Sequence, residues 1–418
     1  MPDLSPIEAH LGEARPRALA ALAHYFGDVD QAEDAFQEAC LRAIAHWPQQ
    51  GIPRDPVAWL IFSGRNAGID QHRRNRTGLQ VSWDEVDPSG DMRAAGQASP
   101  EDRYLEEMAK SGLRDDVLSL LFLCCDEGLA VQDQLALALK IVVGLPVPQI
   151  ARAFVVRPKT MEQRITRAKK KAFQLGVRLK PPTPTERAQR LDAVTMMVYL
   201  MFNEGYTATG GEVHIRLTLC EEAIRLARLL LSLFPAQPEV MGLLALCLLH
   251  HARRHARLSS AGQLISLADQ DRTLWHQGLI DQGKVMLEKA LRKGRPGPLQ
   301  IQAAIAAVHC SAATAQATDW KEILQLYGAL EALQPTPVVM LNKAVALAKV
   351  EGAGLALTYL EPLATALAPY LYYHTTRGAL LLETGDTAEA QAAYRQALEL
   401  NPSEAEIHYI QDQLKKIP

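Results

Sequence analysis

Apolar residues recur at helical spacing from Pro6 to Phe26, and Gly27-Asp28 then supplies a stop followed by an N-cap. The pattern resumes from about Val29 to Trp47, with Ala32, Phe36, Ala39, Cys40, Ala43 and Trp47 on one face. Pro48 to Pro56, holding Gly51 and Pro53, predicts a loop. Pro56 suits the first position of a third helix reaching about Arg74, because the N–H that proline lacks would have no helical partner there. Thr77 to Pro100 carries Gly78, Pro88, Gly90, Gly96 and Pro100 with little periodicity, and predicts an extended or disordered linker. Helical spacing returns at about Glu101 to Ser111, Arg114 to Cys125, Gln132 to Val143, Pro148 to Phe154 and Pro158 to Leu175. Lys180-Pro181-Pro182-Thr183-Pro184 then punctuates the chain, and long Ala/Leu-rich helical stretches follow with no convincing strand alternation.

The last of those stretches repeats. Gly378, Leu381, Gly385, Ala390, Tyr394, Ala397 and Pro402 have the spacing of a tetratricopeptide repeat, where small residues let two antiparallel helices approach closely. Stepping back 34 residues lands on Ala344, Ala356, Leu360 and Leu363, all small or apolar, which predicts two consecutive repeats near 337–404. Leu219 to Phe234 with Pro238 to Arg253 could continue the array in degenerate form.

Composition agrees with an all-α fold: 48% hydrophobic residues, rich in Ala and Leu, and only 6% aromatic. A length of 418 residues implies two to four domains at the usual ~100 to 200 residues each. No window nears the roughly 18 to 20 apolar residues of a membrane span, so no membrane contact and a cytoplasmic location are expected. Cys40, Cys124, Cys125, Cys220, Cys247 and Cys310 form no C-x-x-C pair and predict reduced thiols, without disulfide or zinc.

Net charge is only −3, but it is unevenly spread. Between Pro146 and Lys180, Arg152, Arg157, Lys159, Arg164, Arg167, Lys169, Lys170, Lys171, Arg178 and Lys180 face a single acid, Glu162. A smaller basic run, Arg65 with Arg73, Arg74 and Arg76, precedes a mostly acidic stretch from Asp84 to Glu107. Two basic islands on an acidic tether suggest two contacts with a polyanion, and two solvated helix faces would read the same way.

Pro148 to Phe154, a short break and Thr160 to Ala168 read as a helix-turn-helix. Ile150, Ala151, Phe154, Met161, Ile165 and Ala168 would pack inside, leaving Arg157, Lys159, Thr160, Gln163, Arg164 and Arg167 outward, where Arg and Gln can pair with purine edges in a major groove. Val155 takes the place of the usual turn glycine, and a plain helical hairpin stays open as the other reading.

The order Ala32-Glu33-Asp34-Ala35-Phe36-Gln37-Glu38, Trp59-Leu60, Arg65-Asn66, Ile69-Asp70, Arg73-Arg74, linker and basic helix-turn-helix resembles the extracytoplasmic-function class of sigma-70 family RNA polymerase sigma factors. With Tyr199-Leu200-Met201-Phe202-Asn203-Glu204-Gly205-Tyr206 and the repeats, it resembles the subgroup with a helical C-terminal extension. The resemblance implies sigma region 2 over 1–76, a flexible acidic linker over 77–100, region 4 over 101–180 and the extension over 185–418. It implies that Asp34, Gln37 and Glu38 dock on the clamp helices of the largest polymerase subunit. The loop with Arg54, and the helix with Trp59, Arg65, Asn66, Arg73 and Arg74, would take the -10 element, although Trp59 fits a core position better than a base-stacking one. Arg157, Lys159, Thr160, Gln163, Arg164 and Arg167 would read the -35 element while region 4 touches the flap. The implied partners are core RNA polymerase and promoter DNA, with contact between the C-terminal domain and the sigma domains as a route to control in cis.

The spacing predicts one helix for His250, His251 and His255 with Arg253, Arg254 and Arg257, whose charge would repel a cation, so no metal is expected. Asn203 to Gly211 reads as a helix end capped by glycine and held by a buried tyrosine, or as a pocket wall; Asp269, Asp271 and Trp275 pose the same choice. No phosphate loop, nucleophile elbow or triad occurs, so neither an enzyme nor a cofactor is expected. The rival readings are a one-component helix-turn-helix regulator with a sensing repeat domain, and a repeat scaffold with an incidental basic helix.

Overall fold

The computed structural model describes residues 5–27, 29–77, 116–125, 128–174, 183–207, 213–259, 265–400 and 402–417. The predicted linker beyond Thr77 and the predicted helix from Glu101 to Ser111 lie outside them. Among the described residues there is no β-strand, and the fold is all-α. The chain forms two units, residues 1–150 with 161–197 and residues 151–160 with 198–418.

In the first unit, α1 (Ser5–Phe26), α2 (Val29–Gln50) and α3 (Pro56–Thr77) pack around Leu19, Leu22, Phe36, Trp47 and Leu60. Helix α2 outruns its predicted end at Trp47, with Pro48 inside its last turn. One missing donor is tolerated so near a C-terminus. The stop falls instead at Gly51, whose φ of 84° is open to glycine and whose N–H closes on the Trp47 carbonyl at 2.9 Å. Helix α3 starts at Pro56 as expected, capped by Asp55, which accepts from the Ala58 N–H at 3.0 Å. A Cβ on Gly64 would meet the Leu22 side chain at 2.8 Å, so this glycine sets the close approach of α3 to α1.

The remaining elements of this stretch are α4 (Asp116–Cys124), α5 (Val131–Ile141), α6 (Val147–Ala153), α7 (Pro158–Gln174) and α8 (Pro184–Thr207). The first half of α8 belongs to the first unit, where Arg190 Nη1 donates to the Phe122 carbonyl at 3.1 Å. Burial drives the Cys124 thiol up to about 12 and keeps it protonated.

Between α6 and α7 the chain turns at Val155, with φ of 53°. The Val156 N–H bonds the Ala151 carbonyl at 2.9 Å, the six-to-one bond of a glycine-type helix stop. A β-branched residue is strained in this conformation. Val155→Gly is therefore expected to stabilise the fold by about 0.5–1 kcal/mol, glycine's extra chain entropy offsetting part of the relieved strain. Urea denaturation of the two chains measures it, and equal midpoints would refute it.

The second unit continues with α9 (Val213–Leu233), α10 (Pro238–His251), α11 (Gln277–Leu291), α12 (Pro298–Ser311), α13 (Trp320–Leu333), α14 (Pro337–Glu351), α15 (Ala353–Leu360), α16 (Ala364–Leu367), α17 (Leu371–Thr384), α18 (Thr387–Leu398) and α19 (Glu404–Lys415). Proline opens α10, α12 and α14, and the helices pack chiefly on their neighbours in sequence. The predicted repeat is the α17/α18 hairpin. Gly385 turns the chain at φ of 87°, and Gly378 lies against the buried Tyr394 ring, where a Cβ would stand 2.9 Å from Cε2. One repeat earlier, Ala344, Ala356, Leu360 and Leu363 are all buried in the cluster that joins α14 to α15.

Candidate nucleic-acid interface

The apolar face of α2 fixes what the helix shows to solvent. Burying Ala32, Ala35, Phe36, Ala39, Ala43 and Trp47 turns Asp34 and Gln37 outward, with Glu38 half-buried beside them. Glu38 is 3.7 Å from Arg42 Nε, and Arg42 Nη1 donates to the Ser63 carbonyl at 3.3 Å. The same stripe contains Leu41, four residues beyond Gln37 and 63% exposed, with Ile44 beside it at 38%. The sequence reading passed over Leu41; an apolar residue outside the periodic buried set was the signal that could have found it.

At the start of α2, Glu33 accepts from Lys169 Nζ at 2.8 Å and lies 3.4 Å from Arg15, while Asp30 is 3.4 Å from the same lysine. Burial would lower the Lys169 ammonium, but these two carboxylates outweigh it and raise it. One cation of the basic island is thus engaged within the protein.

Arg54 is exposed in the loop before α3. Trp59 is half-buried, its ring 5.4 Å from that of Trp47 at 68°. Arg65 is half-buried with its guanidinium 4.1 Å over the Tyr25 ring, and Asn66 follows it on α3. The side chains of Arg73 and Arg74 lie outside the described residues.

On α7, Met161, Ile165 and Ala168 are buried, which leaves Arg157, Lys159, Thr160, Gln163 and Arg167 exposed on the opposite side. Arg164 is half-buried and 4.0 Å from Asp133. Arg167 Nε donates back to the Gln163 carbonyl at 3.3 Å, which holds its guanidinium along the helix.

Within the second unit, Arg152, just before the Val155 turn, is paired with Glu406 of α19. Tyr372 donates to the same carboxylate oxygen at 2.7 Å. The other oxygen accepts from the Ser403 N–H at 2.8 Å and the Ser403 hydroxyl at 2.9 Å, closing the capping box that starts α19. Burial would raise the Glu406 carboxyl, but Arg152, Tyr372 and Ser403 hold it below the ordinary carboxylate range.

Among the described residues no three His, Cys, Asp or Glu side chains gather as a metal site, and no helix is long and apolar enough to cross a membrane. His250 faces the Tyr206 ring, His251 lies 3.9 Å from Glu221 and His255 is exposed, so they do not converge. Gly205 does not end α8, which runs on to Thr207; Gly210 and Gly211 lie outside the described residues. Asp271 caps a short 3₁₀ turn by accepting from the Thr273 N–H at 2.9 Å.

Comparison with known proteins fits this anatomy. Residues 12–77 match sigma-70 region 2, residues 371–404 match the tetratricopeptide repeat, and residues 190–291 match a family of unknown function, DUF6596. An uncharacterized protein of Rhizobium meliloti (strain 1021) is 49% identical over 414 residues, 99% of this chain and 96% of that one. Among solved structures, yeast Tom70 aligns over 92% of this chain and 80% of its own at 12% identity and a TM-score of 0.35, a likeness too weak to bear on either protein. The chain therefore belongs to one family with the Rhizobium meliloti protein, and it carries a sigma-70 region 2 domain in its N-terminal part and a tetratricopeptide repeat in its C-terminal part.

Proposed function

We propose that this protein is a sigma factor of the extracytoplasmic-function class that brings core RNA polymerase to a specific set of promoters. One observation carries the reading: the sigma-70 region 2 match falls on the α1–α3 bundle, whose middle helix shows the Asp34, Gln37 and Leu41 stripe to solvent. In this reading the stripe docks on the polymerase clamp helices, and Arg54, Arg65 and Asn66 border the opened -10 element together with Arg73 and Arg74. Opening costs a few kcal/mol per flipped base, which binding must offset. The exposed residues of α7 read the -35 element as the second helix of a helix-turn-helix. The protein acts by recruitment rather than catalysis, in the cytoplasm where polymerase and chromosome meet.

The test is assembly of the purified chain with core polymerase, followed by promoter binding across a salt series. A stable holoenzyme is expected. DNA binding without one would leave a one-component regulator, and no salt-dependent DNA binding would leave a scaffold. Replacing Arg157 and Arg167 with glutamine should lower the slope of log affinity against log salt by about 1 for each phosphate that is no longer neutralised. An unchanged slope would remove α7 from the interface.

Control in cis is the second part of the proposal, supported by the hold of Glu406 and Tyr372 on Arg152 beside the α6–α7 turn. Glu406→Gln keeps the side chain's size and removes its charge. Transcription from a promoter that depends on this protein should then change at least about twofold, since losing one charged pairing is worth ~1 kcal/mol or more. An unchanged rate in a reconstituted assay would sink this part.

A further inference from the structure

The part of the second unit matched by the family of unknown function holds a concentration of positive charge that the transcriptional reading does not use. Arg253 is 6% exposed. Its Nη2 donates to the Tyr206 hydroxyl at 2.6 Å and lies 2.9 Å from His250 Nδ1, while its Nε is buried without a hydrogen-bond partner among the described residues. Arg257 lies 3.6 Å over the face of the same Tyr206 and donates to its carbonyl. Arg272 stands 4.6 Å from the Trp275 ring, which Arg253 also approaches at 5.8 Å, and donates to the carbonyls of His309 and Ala312 at 2.6 Å each.

None of these arginines is in an ion pair among the described residues. Among the described residues, only ring faces, the hydroxyls of Tyr206 and Thr318, an imidazole and carbonyls hold them. Such partners orient a guanidinium without neutralising it, although a buried arginine is ordinarily matched by a carboxylate. Two more buried polar atoms of the cluster, Trp275 Nε1 and His309 Nδ1, likewise have no hydrogen-bond partner among the described residues. Burial, with the arginines Arg253 and Arg257 beside it, holds His250 well below its ordinary range; burial with Arg253 and Arg272 brings His309 to about 4. Both rings therefore stay neutral, and the positive charge near neutral pH is that of the arginines. Arg257 and Arg272 are only half-buried, which gives the cluster a face toward solvent.

We propose that Arg253, Arg257 and Arg272, set around Tyr206, His250 and Trp275, form a binding site for the oxyanion group of a small molecule, a phosphate or a carboxylate. Guanidinium groups recognise both by paired N–H donors, and the aromatic faces suit a flat or apolar remainder. The site is independent of the sigma reading and stands or falls without it.

The test is calorimetric titration of the full chain with inorganic phosphate and, separately, with benzoate, at constant ionic strength held by chloride. Saturable binding of at least one is expected. The anion that binds identifies the group as phosphate or carboxylate. Arg253→Gln and Arg257→Gln should each weaken it about tenfold or more, the loss of one charged hydrogen-bonding partner. Arg292→Gln, exposed just past the end of α11 and already paired with Glu288, should leave it unchanged. If Arg253→Gln fails to fold by circular dichroism, the half-buried Arg257→Gln decides. Neither anion binding, or equal binding by wild type and the folded variants, overturns the site.

Discussion

Leu41→Glu is expected to weaken assembly with core polymerase roughly a hundredfold, the ~2–3 kcal/mol of a central interface anchor, while leaving thermal unfolding nearly unchanged. The asymmetry follows from position. Leu41 is 63% exposed and lies between Gln37 and Ile44 on the face of α2 opposite Phe36 and Trp47, so the free protein loses little packing when it is replaced. In a complex the same side chain would be desolvated at the middle of the stripe, where a carboxylate has no partner. Gln37→Ala and Asp34→Ala should have smaller effects in the same direction, because polar groups at an interface exchange one set of hydrogen bonds for another. Titration of labelled core polymerase with each variant measures all three. Wild-type affinity in Leu41→Glu would move the docking surface off α2.

The largest stability change is expected in the repeat. Tyr394 is fully buried between α17 and α18, with Gly378 against its ring. Tyr394→Ala should cost about 3–5 kcal/mol, because the glycine opposite has no side chain with which to fill the cavity. Tyr394→Phe should act the other way. The hydroxyl is buried with no hydrogen-bond partner among the described residues, so removing it should stabilise by up to ~1 kcal/mol. Chemical denaturation of the full chain, followed by far-ultraviolet circular dichroism, distinguishes the two. A loss in Phe comparable to that in Ala would mean that the hydroxyl is held by a bond.

Much of this architecture was legible in the sequence, because the features that place helices are local. Pro56 begins a helix and Gly27 ends one, and the small residues at Gly378, Ala390 and Ala397 mark a hairpin through spacing alone. The buried faces of α2 and α7 follow from period. What stayed hidden depends on distance along the chain. Lys169 meets Glu33 136 residues away, and Arg253 finds Tyr206 47 residues away. No periodicity encodes such a meeting, which exists only once the helices have packed. Boundaries also depend on competition between residues: Pro48 looked like the end of α2, yet Gly51, with its left-handed backbone, is where the chain leaves the helix.

One carboxylate near the C-terminus serves two masters. Glu406 seals the first turn of α19 through Ser403 with one oxygen and grips Arg152 with the other. Its carboxyl is held below the ordinary range, so this stabilisation is complete at neutral pH and fades as the pH falls from the ordinary carboxylate range through that depressed value. Fraying at the start of α19 would therefore displace the carboxylate that holds Arg152. Anything that unwinds that first turn, whether acid or a protein grasping the C-terminal helix, lets go of a segment 254 residues upstream.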